Sequence, residues 1–386
     1  MSSPDEGTEM MRGWILGLSG QLNDALAACA ARGWPPTTLP PPGGVLPSAA
    51  SPRPDDVPPS GAASVAGTEP PRAVLVCGMG GSAMAGDVAR SILRDRLGVP
   101  MEVVRDPAIP AWVAPGTLVL AVSYSGNTWE TLRAARTARQ RGARVFAITS
   151  GGALADEARA AGWPLFSLPS GYSPRAALGW MVVPVAMGAL YGGTCPLIAG
   201  DIRSDLGEAI EALAEETAVW QGRGAVPGRN PAEIAAAVEG RFAFIYAPSE
   251  RLFPAAARWR GQLQENAKQA ACASAFPELA HNEITGWRFA VEELPSVHIL
   301  LEDDRSVEGM RGAHTRAAVA ELTASGARVV RIPPNRGRAV CGGGPAACLF
   351  SHILLADAVS VEVARRHGID PLPVDAIERV KRAAVE

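Results

Sequence analysis

From Ala73 onward the chain repeats one pattern: a short apolar run, a glycine- or serine-rich turn, then a helical stretch. Ala73-Val-Leu-Val-Cys77 runs into Gly78-Met-Gly-Gly-Ser82 and a helix over 83–96. Strands follow at Met101–Val104 and Thr117–Val122, and the latter ends in Ser123-Tyr-Ser-Gly-Asn-Thr128, which opens a helix through Arg141. Arg144–Ile148 and Pro164–Leu168 complete the series. Short apolar runs bounded by turn residues read as buried strands, because a half-exposed strand would alternate polar and apolar residues. Strands alternating with helices imply a parallel sheet covered on both faces.

Apolar helices over 176–193 and 205–222 lead to a second round of the same pattern. Strands at 242–246, 297–301 and 328–332 alternate with helices at 252–274 and 313–325, and helices over 347–367 and 373–385 close the chain. The expected fold class is α/β, with two doubly wound parallel-sheet domains of flavodoxin-like, three-layer α/β/α build. Their layout is duplicated, though no sequence repeat is obvious. The expected domains are 72–195 and 196–386, the second ending in the C-terminal helices. Upstream, residues 1–34 form a helical segment in which Met10, Trp14, Leu18, Leu22, Leu26 and Cys29 recur at helical spacing. Residues 35–71 hold 12 of the 33 prolines and read as a mobile linker or surface loop, too poor in apolar residues to offset the entropy of ordering.

Bulk properties exclude several classes. Apolar residues make up 47% of the 386, enough for a sizeable core. A net charge of −3 lacks the basic excess of a nucleic-acid-binding protein. The six cysteines are scattered, without CxxC or a neighbouring histidine, which reads as reduced thiols and neither a disulfide framework nor a zinc site. The chain opens Met-Ser-Ser-Pro-Asp-Glu, acidic where a signal peptide is basic, and no uninterrupted apolar run reaches the about 18 residues of a membrane span. The expectation is a cytoplasmic protein with no nucleic-acid, membrane, metal or cofactor partner.

Two strand-to-helix turns carry the first chemical signal. Gly80, Gly81 and Ser82 in one, and Ser123, Ser125 and Thr128 in the other, stand where helices begin. Unmatched N–H groups and the positive helix end favour an anion there, and hydroxyls add donors. Neither turn is a dinucleotide GxGxxG or a GxxxxGK[ST] loop. Each alone also reads as a tight turn with a Ser or Thr cap; two in one sheet favour a phosphate site.

The pairing of Gly-Met-Gly-Gly-Ser82 with Ser123-Tyr-Ser-Gly-Asn-Thr-Trp-Glu-Thr131 resembles a SIS (sugar isomerase) domain. Pro174-Arg175, Glu265-Asn-Ala-Lys268, Phe276-Pro-Glu-Leu-Ala-His281-Asn-Glu283, Asp357-Ala-Val-Ser360, Gly368-Ile-Asp-Pro371 and Lys381 resemble, in order, the bifunctional phosphoglucose/phosphomannose isomerase family over residues 73–386. The resemblance implies two SIS-type domains, a hexose phosphate substrate and a homodimer. Aldose–ketose isomerisation moves a proton between C1 and C2 through a cis-enediol. It suits a partly desolvated carboxylate, whose pKa burial raises. Glu265 would be that base. His281, reaching the site from the partner subunit, would move a proton during ring opening. Arg175 would stabilise the enediolate, and Lys381 would close over the sugar.

Each residue also has a plainer reading. Glu265 could pair with Lys268 at i, i+3 on a helix surface. His281 could bond Asn282 or Glu283 in its loop, Arg175 could make surface contacts, and Lys381 could sit solvated at a helix end. The segment Asp370-Pro-Leu-Pro-Val374 carries none of the small or hydroxyl residues usual before the family's last helix, so glucose or mannose preference stays open, as does a more specialised sugar. The competing function is a sugar-phosphate-binding or regulatory protein whose active site has decayed. An amidotransferase-linked aminosugar synthase is disfavoured, because no glutaminase domain or N-terminal nucleophilic cysteine is present.

Overall fold

A computed structural model describes residues 4–36, 70–193, 199–222, 226–287, 294–304, 309–335 and 345–383. Most of the expected linker and of the Gly- and Arg-rich loop 335–345 lies outside them. At the N-terminus, the helical segment expected over 1–34 is two helices, α1 (Pro4–Leu16) and α2 (Leu18–Ala31), with a break at Gly17. Two compact units form, Gln21–Arg203 and Met1–Gly20 together with Ser204–Glu386, so α1 belongs with the C-terminal segment.

In Gln21–Arg203, β1 (Ala73–Cys77), α3 (Gly80–Leu93), β2 (Met101–Val104), β3 (Thr117–Val122), α4 (Trp129–Gln140), β4 (Arg144–Thr149), α5 (Gly152–Ala161), β5 (Leu165–Ser167) and α6 (Leu178–Ala189) follow in order. The strands pair in parallel in the order β2-β1-β3-β4-β5. Every residue of β1 and β3 is buried, which is why neither alternates in sequence. Val119, Ala121, Val145 and Ala147 pack under Leu132, Ala135 and Leu154 of α4 and α5. The order reverses between β1 and β3, and ligands of open α/β sheets bind outside the carboxyl ends of strands at such a reversal.

The other unit carries α7 (Ala199–Gln221), α8 (Pro231–Val238), β6 (Phe242–Ala247), α9 (Phe253–Glu265), β7 (Ala271–Ala275), β8 (Ser296–Leu301), α10 (Gly309–Ala324), β9 (Val329–Ile332), α11 (Pro345–Arg366) and α12 (Asp375–Ala383). Its parallel order, β7-β6-β8-β9, repeats the winding of the first sheet. The helix expected over 252–274 is wrong in its second half, since it ends at Glu265 and 271–275 is a strand. Ala271-Cys-Ala-Ser-Ala275 has no β-branched or aromatic residue, so it continued the helical pattern; pairing with β6 overrides propensity. Helix α11 is long and apolar enough to cross a membrane, yet 83% of its most apolar stretch is buried, as in a core helix.

Thiols and imidazoles in these cores are packing groups. Burial pushes Cys77 in the first unit up to about 12, keeping the thiol neutral. His298 on β8 is fully buried, stacks on Phe244 and shares a 3.1 Å hydrogen bond between Nδ1 and the Tyr246 hydroxyl. His352 on α11 donates from Nε2 to the Glu302 carbonyl at 2.8 Å. Burial lowers His298 from 6.5 to about 4 and His352 to about 3. Below pH 6.5 the unfolded chain therefore binds more protons than the folded one, so stability falls on acidification. The His298 contribution levels off below about 4. The melting temperature should drop between pH 6.5 and about 4, and His298→Phe should make that slope shallower whatever its effect at neutral pH. An unchanged slope would contradict a neutral buried His298.

Candidate active site

At the sheet reversal of the Gln21–Arg203 unit, α3 and α4 both start without a side-chain cap: neither Met79 nor Thr128 bonds a first-turn N–H. Helix starts of this kind present N–H groups and a partial positive charge. Glycine makes the geometry possible. Gly126 has φ +72°, and a Cβ there would meet the Gly151 carbonyl oxygen at 1.7 Å. A Cβ on Gly81 would press on the Pro174 carbonyl oxygen at 3.0 Å, so the short 3-10 turn Pro174–Ala176 lies directly against the first turn of α3. That turn carries Arg175, which is only 5% exposed and donates from Nη1 to Ser173 Oγ at 3.0 Å.

The predicted phosphate residues converge here, with different jobs. Ser82 is buried; its hydroxyl accepts from the Tyr124 N–H at 3.2 Å and contacts Met181 Sδ at 3.6 Å, so it ties the two turns together. Ser123 Oγ lies 2.9 Å from Thr128 Oγ1 and accepts from Gly126 N–H at 3.1 Å. Ser125 is the exposed member, its hydroxyl accepting from Asn127 N–H at 3.3 Å, and Gly80 is exposed too. Tyr124 was not foreseen. Its hydroxyl donates to the Pro169 carbonyl at 2.8 Å and accepts from Tyr172 N–H at 3.0 Å, bracing the loop that delivers Arg175. An aromatic between two serines in the turn was its only sequence signal.

In the unit that contains Ser204–Glu386, Glu265 is the last residue of α9 and is half-buried. Helix α9 is fastened to α11 by buried polar groups. Arg258 grips Asp357 with two bonds, Nε to Oδ1 at 2.8 Å and Nη2 to Oδ2 at 2.7 Å. Asn266, fully buried, donates to Ser360 Oγ at 2.9 Å, and that hydroxyl donates to the Asp357 carbonyl at 2.7 Å. The residue after Glu265 is thus locked to a second helix. The Glu265-Asn-Ala-Lys268 and Asp357-Ala-Val-Ser360 motifs meet through Asn266 and Ser360. The Lys268 ammonium donates to the main-chain carbonyl of Glu265 at 2.6 Å.

The structure does not bring Glu265 and His281 of one chain together. Because α9 runs antiparallel to its sheet, Glu265 lies at the edge where β7 begins. His281 ends the 3-10 turn Glu278–His281 that follows the other end of β7. Five strand residues separate those edges by about 16 Å. Nor does the loop absorb the imidazole. Asn282 donates to Glu278 Oε1 at 3.0 Å, and Glu283 accepts from Ser274 Oγ at 2.5 Å and Trp287 Nε1 at 3.4 Å, while His281 is exposed. Lys381 is exposed on α12. Among the described residues, no group of three or more His, Cys, Asp or Glu side chains is placed to hold a metal ion.

Removing the Asp357 carboxylate leaves a buried guanidinium without its counter-charge, a change that costs about 3–5 kcal/mol. Asp357→Ala should therefore lower the unfolding free energy measured by urea denaturation by that amount. A loss below about 1 kcal/mol would place the pair in solvent.

Similarity to known proteins adds the last observation. Residues 229–383 match the family model described as the bacterial phospho-glucose isomerase C-terminal SIS domain, and residues 70–161 match the SIS domain. The chain is 32% identical to a bifunctional phosphoglucose/phosphomannose isomerase of Caldicellulosiruptor bescii over 81% of this chain and 89% of that protein. It is also 32% identical to the enzyme of the same name from Aquifex aeolicus, over 81% and 90%. A solved structure of a hypothetical protein from Thermus thermophilus shares the fold with a TM-score of 0.65 at 15% identity, covering 99% of this chain and 94% of that one.

Proposed function

The chain belongs to the bifunctional phosphoglucose/phosphomannose isomerase family, and from that premise we propose that it interconverts glucose 6-phosphate or mannose 6-phosphate with fructose 6-phosphate. The observation that carries the reading is the fastening of α9, which holds the half-buried Glu265 carboxylate through Arg258–Asp357 and Asn266–Ser360. A base that serves two adjacent carbons must stay fixed while the proton moves.

The uncapped starts of α3 and α4, with Gly80, Gly81, Ser82, Ser123, Ser125 and Thr128, take the phosphate. His281 moves a proton between the anomeric hydroxyl and the ring oxygen, opening the ring. Glu265 removes the C2 proton of the aldose as charge moves onto O1, and the O2 hydroxyl proton passes to O1 within the resulting cis-enediolate. The same carboxylic acid returns the proton to C1 as O2 becomes the ketone. Arg175 stabilises the negative charge that builds on the enediolate oxygens, and Lys381 closes over the sugar. Metal plays no part in this route.

The separation of Glu265 from His281 within one chain supports a symmetric homodimer in which each site takes His281 from the partner copy. Glu265→Gln should lower kcat by about 10³-fold while sugar-phosphate binding persists, and the wild-type rate should survive EDTA. Wild-type binding without turnover of any hexose 6-phosphate would overturn the isomerase reading. Mixing inactive Glu265→Gln and His281→Asn chains should restore about a quarter of the wild-type rate, because half of the dimers then hold one intact site. No recovery on subunit exchange would assign both residues to one chain.

A further inference from the structure

Lys268 is the one described non-glycine residue with positive φ, at +55°. A lysine there is strained by about 1 kcal/mol, because its Cβ crowds the following carbonyl. Such strain persists only where the surroundings hold it, and three contacts do. The ammonium donates to the carbonyl oxygens of Glu265 at 2.6 Å, Pro373 at 2.8 Å and Pro371 at 3.4 Å. An ammonium has three protons to donate, so it can serve several carbonyls at once.

Each acceptor has a reason to need a donor. The Glu265 carbonyl is one of those that a helix leaves unmatched at its C-terminal end, where a cation is also favoured by the helix dipole. Pro371 and Pro373 have no N–H, so each enters hydrogen bonding through its carbonyl alone. Asp370 fixes its near end: Oδ1 accepts from Leu372 N–H at 2.9 Å and lies where a Cβ on Gly7 of α1 would sit, 2.0 Å away. Two residues beyond Pro373, α12 begins, and it carries Lys381.

We propose that Lys268 is a positioning residue that sets the last turn of α9, with Glu265, against the segment from which α12 and Lys381 start. The left-handed backbone turns its side chain back so that one charge bridges the two. This inference rests on the reading of Glu265 as the base. It extends that reading by naming the group that fixes the base relative to the C-terminal helix.

The test compares Lys268→Asn, Lys268→Gly and Lys268→Arg with Glu265→Gln. Asparagine and glycine accept positive φ and lack the charge, so both should fold with a cooperative transition. Their kcat should fall about tenfold or more with KM changed less than about threefold, since a base misplaced by about 1 Å costs up to about 10²-fold. Hydrogen exchange should speed up across residues 372–383. Arginine keeps the charge and should recover part of both losses. Wild-type kcat and wild-type exchange in Lys268→Asn would overturn the proposal, as would equal losses in the arginine and asparagine variants. A fully active Glu265→Gln would instead remove the assignment of the base, and the exchange data would still decide whether Lys268 holds the segment.

Discussion

A parallel sheet can be continued only by carrying the chain back along a helix, and that requirement orders everything else in the molecule. Each strand delivers its carboxyl end to one edge, where a helix must begin with N–H groups unmatched. In the Gln21–Arg203 unit, two such starts flank the reversal of strand order. Gly81 and Gly126 let backbone from 174 and 151 approach where a side chain would collide. The positive environment follows from the winding, and Arg175, buried on its short turn, adds a full charge to it.

The same winding has a different consequence in the other unit. A helix that starts at the carboxyl edge ends at the amino edge, so a carboxylate on its last residue is far from any loop that follows the next strand. Within one chain, β7 therefore stands between the end of α9 and the turn that carries His281. Buried polar groups then do for Glu265 what hydrophobic packing alone does poorly. Apolar contacts tolerate rotation of a helix about its axis, whereas the two-bond Arg258–Asp357 grip and the Asn266–Ser360 bond accept one arrangement.

Much of this was legible in the residues. The uniformly apolar strands at 73–77 and 117–122 announced themselves, because burial on both faces writes a continuous run. The turns after them could be read as helix starts from glycine and hydroxyl content. What escaped was decided by tertiary pairing. β7 is built of small residues with no strand preference of their own, and only its register with β6 makes it a strand. Missing it hid the fact that 276–287 returns to the carboxyl edge. The Ser82 hydroxyl also accepts from the Tyr124 N–H of the second turn, a contact between residues 42 apart in sequence that no local pattern encodes. Polar Asp357 and Ser360, three residues apart among apolar neighbours on α11, were a usable sign of a buried network. Their partners on α9 were not.

Lys268 shows how local strain and long-range order can be one feature. A glycine at this position would relieve the backbone, and many helices end that way. Glycine has nothing with which to hold two proline carbonyls. Two of the five residues in 370–374 are prolines without an N–H, and the Lys268 ammonium meets the carbonyls of both. A side chain that leaves a helix end in the left-handed conformation points back along the helix it has just left, toward the unmatched carbonyls of the last turn. An ammonium on a flexible stem can meet carbonyls from two directions, as a planar guanidinium cannot without choosing among them. The residue type, the backbone sign and the prolines therefore form one solution to joining the end of α9 to the segment that leads into α12.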